Sequence, residues 1–106
     1  MKVVRASEAK VRKISEVKLA ENLITKEISP HFSLAVTESQ DGYVEEQVAE
    51  YERIYYILSG EMVIEQENTI TLRPGDSCHI TPGEKYTLKG KFRAIVVNHP
   101  SFGVKG

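Results

Sequence analysis

Short runs of alternating apolar and polar residues, separated by turn residues, make up most of the last two-thirds of the chain. FSLAV (32–36) and RIYYIL (53–58) are rich in the β-branched and aromatic side chains that favour strands. EMVIEQ (61–66) and TITL (69–72) flank a polar turn, which predicts a hairpin. KFRAIVV (91–97) is apolar on both faces, as expected where one face meets the core and the other meets a second layer or a partner subunit.

The first third of the chain carries a weaker pattern. SEAKVRKISEVKLAENL (7–23) has no clean apolar stripe at helical spacing, and NLITKEI (22–28) resembles a strand. We expect this part to be mostly extended, with one helical turn near Glu8. Over the whole chain, about six to nine short strands spaced roughly 8–12 residues apart predict an all-β fold, an antiparallel sandwich or barrel such as a jelly roll.

The length of 106 residues fits one domain, 1–106, in which 1–30 form N-terminal strands or an arm and 31–102 form the barrel core. A formal net charge of −1 lacks the basic excess of nucleic-acid or membrane-surface proteins, so neither partner is expected. No apolar run reaches the ~18 residues of a membrane span. The single cysteine, Cys78, excludes an internal disulfide, fits a cytoplasmic location and is expected to be a small buried hydrophobe.

Charge is distributed unevenly along the chain. Residues 1–18 carry six Lys or Arg against two Glu, whereas residues 38–52 carry six acids and no base. The acidic segment has two interpretations, a solvated loop or a segment in which one or two carboxylates face a pocket.

Two segments resemble the two halves of the cupin signature, ERIYYILSGEM (52–62) and LRPGDSCHITPGEKYTLKG (72–90). The closing VVNHPSF (96–102) is similar to the end of small single-domain cupins. The resemblance covers about 32–102 and implies an RmlC-like jelly-roll β-barrel. The YYILSG strand and the PGD and PG turns also resemble the ethanolamine-utilisation cupins, which would imply a cytoplasmic accessory protein of metabolism.

The resemblance also locates the usual cupin metal ligands, two His and a Glu in the first motif and one His in the second. The Glu position falls on Arg53 and the last His position on Tyr86. Depending on a one-residue gap, the other two positions fall on one of two pairs, Glu46 with Val48 or Gln47 with Ala49. Because a fixed positive charge repels a metal ion, we expect no metal at this position and no other cofactor.

The interior of such a barrel remains a concave cavity, and the alignment places Arg53, Tyr55 and Tyr86 in it. Arg53 has two interpretations. It is either a structural ion pair with Glu46 or Glu50, or a clamp whose guanidinium binds a carboxylate or phosphate through two parallel hydrogen bonds. In the second case the two tyrosines line a pocket for a small polar or anionic metabolite.

His79 and Glu46 are the candidate acid–base residues. Alternation counted from Asp76, expected to face solvent beside its turn, places His79 inward, and Glu46 lies near the first ligand position. His79 is then either a satisfied core histidine or, with Glu46, a ligand-binding and catalytic proton-transfer partner. Glu46, Glu50 and His79 could also form a non-standard metal site.

The favoured function is that of a metal-free cupin that binds a small polar or anionic metabolite in its barrel. The alternatives are a metal-independent isomerase or epimerase of a sugar or keto acid with His79 as base, a cupin with non-standard metal ligands, and a partner-binding accessory protein whose barrel is merely filled. Small cupins commonly pair, and the apolar outer faces of 53–58 and 91–97 favour a homodimer.

Overall fold

Two antiparallel sheets, built from ten strands, make up the computed structural model, which describes residues 1–104. In chain order the strands are β1 (Lys10–Ser15), β2 (Lys18–Ile24), β3 (Ser33–Ser39), β4 (Val44–Val48), β5 (Glu52–Gly60), β6 (Met62–Glu65), β7 (Thr69–Leu72), β8 (Ser77–Ile80), β9 (Lys85–Lys89) and β10 (Phe92–His99). A 3-10 helix at Ala6–Glu8 precedes them. Among residues 1–104 no helix has the length and apolarity needed to cross a membrane.

The larger sheet has the order β1-β2-β3-β10-β5-β8, and the smaller one has the order β4-β9-β6-β7. Every strand pair is antiparallel, which confirms the predicted all-β sandwich. The predicted hairpin is β6–β7, where Glu65 pairs with Thr69. The N-terminal third is extended as expected, and its two strands extend one side of the larger sheet.

The core lies between the inner faces of the two sheets. In β10 the side chains of Phe92, Ala94 and Val96 are buried, as their two-residue spacing predicts. They pack in one cluster with Leu88 of β9 and Met62 of β6, both fully buried. The apolar residues of the two sheets therefore meet across the sandwich, which is the burial that stabilises the fold.

The acidic segment contains a strand instead of being only a solvated loop. β4 pairs with β9, and Glu46 stands opposite Thr87 in this ladder. Glu45 and Gln47 are half-buried on the inner side, whereas Glu46 is exposed on the outer side. Strand formation here depends on the distant β9, because VEEQV has little intrinsic strand character.

The outer face of the larger sheet is apolar at its centre. On β5 Ile54, Tyr56 and Leu58 are 45%, 44% and 40% exposed. Ile95 of β10 lies beside Tyr56, and Val97 lies beside Ile54. β5 and β10 are therefore apolar on their outer faces as well as on their inner faces, as the sequence indicates.

Gly60 at the end of β5 has a φ of +75°, and a Cβ there would lie 2.9 Å from the Cα of Phe92. Gly42 has a similar φ of +88° but has no atom within 4 Å of such a Cβ. We expect Gly60→Ala to lower the free energy of unfolding by about 1–3 kcal/mol more than Gly42→Ala. In both variants an alanine must adopt a left-handed backbone conformation, which costs ~1–2 kcal/mol. Only in Gly60→Ala does the added Cβ also push neighbouring backbone atoms apart. Urea denaturation measures both, and equal losses would contradict the steric explanation.

Candidate functional site

Arg53 projects from β5 into the space between the sheets and is held by four neutral side chains. Its Nε donates to Oδ1 of Asn98 at 2.6 Å. Its Nη1 donates to Oε1 of Gln47 at 3.0 Å and to the hydroxyls of Tyr55 and Tyr86, each at 3.3 Å. The hydroxyl of Tyr86 in turn donates to Gln47 Oε1 at 2.7 Å. The structure therefore brings together Arg53, Tyr55 and Tyr86, as the resemblance to the cupin motifs implies.

No carboxylate of residues 1–104 forms an ion pair with Arg53. The first interpretation of Arg53, a structural ion pair with Glu46 or Glu50, is therefore wrong, since both of these side chains are exposed away from the interior. Within the same residues, Nη2 of Arg53 has no hydrogen-bond acceptor. The guanidinium keeps an uncompensated charge and a free donor edge.

Arg53 lines a cavity of about 400 Å³ between the two sheets. Tyr55 and Asn98 also line it, whereas Tyr86 reaches the site only through its hydroxyl. Four cationic and two anionic side chains border this cavity: Arg12, Lys18, Lys26 and Arg53, and Glu27 and Glu45. The excess of positive charge favours an anion over a cation as its occupant.

The orientation of β4 decides which of the two residue pairs occupies the remaining ligand positions of the first motif. Gln47 faces Arg53 and Ala49 is buried, so this pair occupies the two ligand positions. Glu46 is exposed on the opposite face of β4, and its predicted place in the site is wrong. The physical reason is the two-residue period of a strand, in which a shift of one residue exchanges the faces.

His79 faces solvent, and its predicted inward orientation is wrong. Its side chain is 51% exposed, and its Nε2 lies 2.7 Å from Oε2 of Glu52 at the surface. On β8, Cys78 pairs with the buried Tyr55 and therefore takes the inner side. The alternation cannot be counted from Asp76, because that residue lies in the turn, where its carboxylate accepts the N–H of Arg73 at 2.9 Å.

Lys18 is a site residue that the sequence pattern did not single out. On β2 it shares the inner face with Ala20 and Asn22, and all three line the cavity. Its Nζ donates to the hydroxyl of Tyr43 at 2.8 Å, and this hydroxyl donates to Oε2 of Glu45 at 2.6 Å. The two-residue spacing of Lys18, Ala20 and Asn22 is the signal that could have revealed it, once β2 is read as a strand.

Burial shifts the pKa values of four side chains in or near the site. Loss of solvent lowers the pKa of Lys18 from 10.5 to about 8; the carboxylate of Glu45 opposes this change, and the cations Arg53 and Arg12 add to it. Burial, and then the hydrogen bond to Glu45, raise the pKa of Tyr43. Burial also raises the pKa of Tyr55, so both phenols stay protonated donors near neutral pH. It likewise raises the pKa of the Cys78 thiol, which is half-buried where a fully buried small hydrophobe was expected.

Residues 28–96, about two-thirds of the chain, match the model of the EutQ-like cupin domain. The chain belongs to the EutQ-like cupin family. The resemblance to small cupins and to the ethanolamine-utilisation type is thereby confirmed. No curated protein matches this cupin.

Solved structures of other cupins share the fold. Ectoine synthase from P. lautus is 21% identical with a TM-score of 0.87, over 96% of this chain and 80% of that one. EutQ of Clostridium difficile is 21% identical with a TM-score of 0.77, over 91% and 77%. The polyketide cyclase RemF of Streptomyces resistomycificus is 22% identical with a TM-score of 0.80, over 95% and 80%. At these identities the similarity shows the cupin fold alone.

The residues at the usual cupin ligand positions do not fit a metal ion. Gln47, Ala49, Arg53 and Tyr86 offer no imidazole or carboxylate, and the guanidinium places a fixed positive charge among them. Among residues 1–104 no three His, Cys, Asp or Glu side chains come close enough to hold an ion. The non-standard set considered above, Glu46 and Glu50 with His79, is therefore not brought together.

The lowered pKa of Lys18 predicts a rise of stability with pH. Between pH 8 and 10.5 the unfolded chain holds a proton on Lys18 that the folded chain has lost. The free energy of unfolding of the wild type should therefore increase by up to about 3 kcal/mol relative to Lys18→Met over this window. Urea denaturation at a series of pH values checks this. In Lys89→Met, at a more exposed position, the free energy of unfolding should change with pH as it does in the wild type. A difference in this free energy between the wild type and Lys18→Met that stays constant with pH would refute the assignment.

Proposed function

We propose that this cupin binds a small anionic metabolite in its cavity, with Arg53 as the anchor for the negative group and no metal at the usual position. The observation that carries the proposal is the guanidinium of Arg53, which lines the cavity and has no carboxylate partner among residues 1–104. A carboxylate or phosphate would complete its hydrogen bonding at Nη2 and neutralise its charge. A cytoplasmic location, inferred from the single cysteine, belongs to the same proposal.

The surroundings of Arg53 support this role. Asn98, Gln47 and the two tyrosines fix the plane of the guanidinium through neutral oxygens, so its orientation is set before a ligand arrives. Such preorganisation lowers the entropic cost of binding. The ring of Tyr55, whose centroid lies 5.8 Å from Cζ of Arg53, packs beneath the guanidinium and helps to hold it in place.

A panel of short carboxylates and sugar phosphates, screened by thermal shift and then by titration calorimetry, tests the proposal. Arg53→Met should weaken the best ligand roughly ten- to hundredfold, since a hydrogen bond to a charged group is worth about 1.5–3 kcal/mol. Arg93→Met is the matched control, because Arg93 pairs with Glu21 and Glu38 on the outer face. Its affinity should equal that of the wild type.

Gln47→Glu separates lost binding from lost folding. The substitution is nearly isosteric and places a carboxylate beside Nη1 of Arg53, where the amide oxygen now lies at 3.0 Å. The protein should stay folded while the internal carboxylate competes with the ligand, so anion affinity should fall at least as far as in Arg53→Met. Unchanged affinity in both variants, or a panel in which no anion binds, would refute the proposal.

We also infer that the chain forms a homodimer through the apolar outer face of β5 and β10. Contiguous exposed apolar surface of this kind marks protein interfaces, and a two-fold pair covers it on both subunits. Tyr56→Lys should convert a dimer to a monomer in light scattering after size exclusion. Ile70→Lys is the matched control, because Ile70 is 50% exposed on β7 of the other sheet. A monomeric wild type would contradict the inference.

A further inference from the structure

Lys18 is an amine buried in the cavity wall rather than a solvated strand residue. Its side chain is 5% exposed, and its neighbours on the same face of β2 line the same cavity as Arg53. A buried lysine requires compensation for the loss of hydration. Here the compensation is incomplete, because Glu45 lies 3.8 Å away and its nearest oxygen already accepts the hydroxyl of Tyr43 at 2.6 Å.

Tyr43 connects this amine to the edge of the cavity. Its hydroxyl accepts the hydrogen bond from Nζ and donates one to Glu45, whose side chain is 40% exposed. The chain of groups provides a proton route from the buried amine of Lys18 to a carboxylate in contact with water. Such a route permits the amine to lose a proton without opening of the cavity.

The charged groups facing Lys18 come from three other elements: Glu45 of β4, Arg53 of β5 and Arg12 of β1. With loss of solvent as the main cause, the pKa of the amine falls to about 8. About a tenth of the molecules then carry a neutral amine at pH 7, which has a lone pair available for reaction. A buried lysine beside further cations is the usual setting of an activated amine.

β4 presents the contact partners of this amine and of the guanidinium side by side on its inner face. Lys18 contacts Glu45, and Arg53 contacts Gln47. The two contacted residues lie two positions apart on the inner side of one strand, which corresponds to about 7 Å. A ligand of a few carbon atoms can therefore touch both cationic side chains at once.

We propose that Lys18 forms a reversible Schiff base with a short oxo acid whose carboxylate is held by Arg53. The neutral Nζ adds to the carbonyl carbon, and the amine proton moves to the carbonyl oxygen. That hydroxyl then leaves as water with the second amine proton, and a C=N bond remains, so one amine and one carbonyl give one imine and one water. No oxidant or reductant takes part. This inference rests on the proposed anion site and adds the carbonyl group to the ligand's chemistry.

Reductive trapping tests the inference on the full chain. The protein is incubated with 4-oxobutanoate and sodium cyanoborohydride, and peptide mass mapping locates the reduced adduct. We expect labelling at Lys18 roughly tenfold or more above that obtained with butanal, which has the aldehyde but no carboxylate to place it. The rate at Lys18 should rise with pH to a midpoint near 8. Because the site is mapped on the wild type, the result does not depend on the folding of a variant.

Three variants define the controls. Lys18→Arg keeps the charge but removes the nucleophile, so the adduct should disappear. Lys89→Arg, at a half-exposed residue that forms an ion pair with Glu65, should label like the wild type. Tyr43→Phe removes the hydroxyl between Nζ and Glu45 and should slow the labelling of Lys18 several-fold.

Succinate, which has carboxylates but no carbonyl, separates this inference from the anion site. Arg53-dependent binding of succinate without an adduct at Lys18 would overturn the Schiff base and leave the anion site intact. Adducts spread evenly over exposed lysines would overturn it as well. Failure of every carboxylate to bind, together with absence of the adduct, would overturn both proposals.

Discussion

The cavity depends on one constraint, the fixed register of β5. Because its register is fixed, its side chains alternate between the inner and the outer face in only one way. This strand is hydrogen-bonded to β10 on one side and to β8 on the other, so it cannot slip in register without breaking both ladders. Burial of Tyr55 fixes the inner face, which sends Arg53 into the cavity and Ile54 and Tyr56 to the outer face. One strand thus determines both the charge of the interior and the apolar character of the exterior.

The surroundings of Arg53 are unusual for a cation inside a protein. Buried guanidinium groups are normally paired with carboxylates, which cancel their charge. Gln47, Asn98 and two phenols instead accept from Nε and Nη1 and leave the charge of the guanidinium in place. The fold bears the electrostatic cost of this arrangement, which an anionic ligand would offset. The positions that serve metal binding in other cupins are thus chemically suited here to a charge of the opposite sign.

Local pattern was sufficient where a strand alternates clearly, and it predicted the hairpin and the all-β fold class. The inward position of Arg53 came instead from the resemblance to the cupin motifs. Local pattern failed where the answer depends on distant pairing or on an exact count. Glu46 was placed on the wrong face because of a one-residue gap, and His79 because its alternation was counted from a turn residue. Lys18 escaped notice because a strand lysine is ordinarily solvated, and its burial follows only when Tyr43 and Glu45 close over it.

The first strand has a consequence for the behaviour of the protein in concentrated solution. Within residues 1–104 β1 pairs only with β2, so its other side presents unpaired backbone N–H and C=O groups, and all six of its residues are exposed. Such an edge can template the addition of a strand from another molecule. Lys10, Arg12 and Lys13 distribute three positive charges along it, so the like edges of two molecules repel each other. Charge repulsion along this edge therefore disfavours edge-to-edge pairing of two molecules.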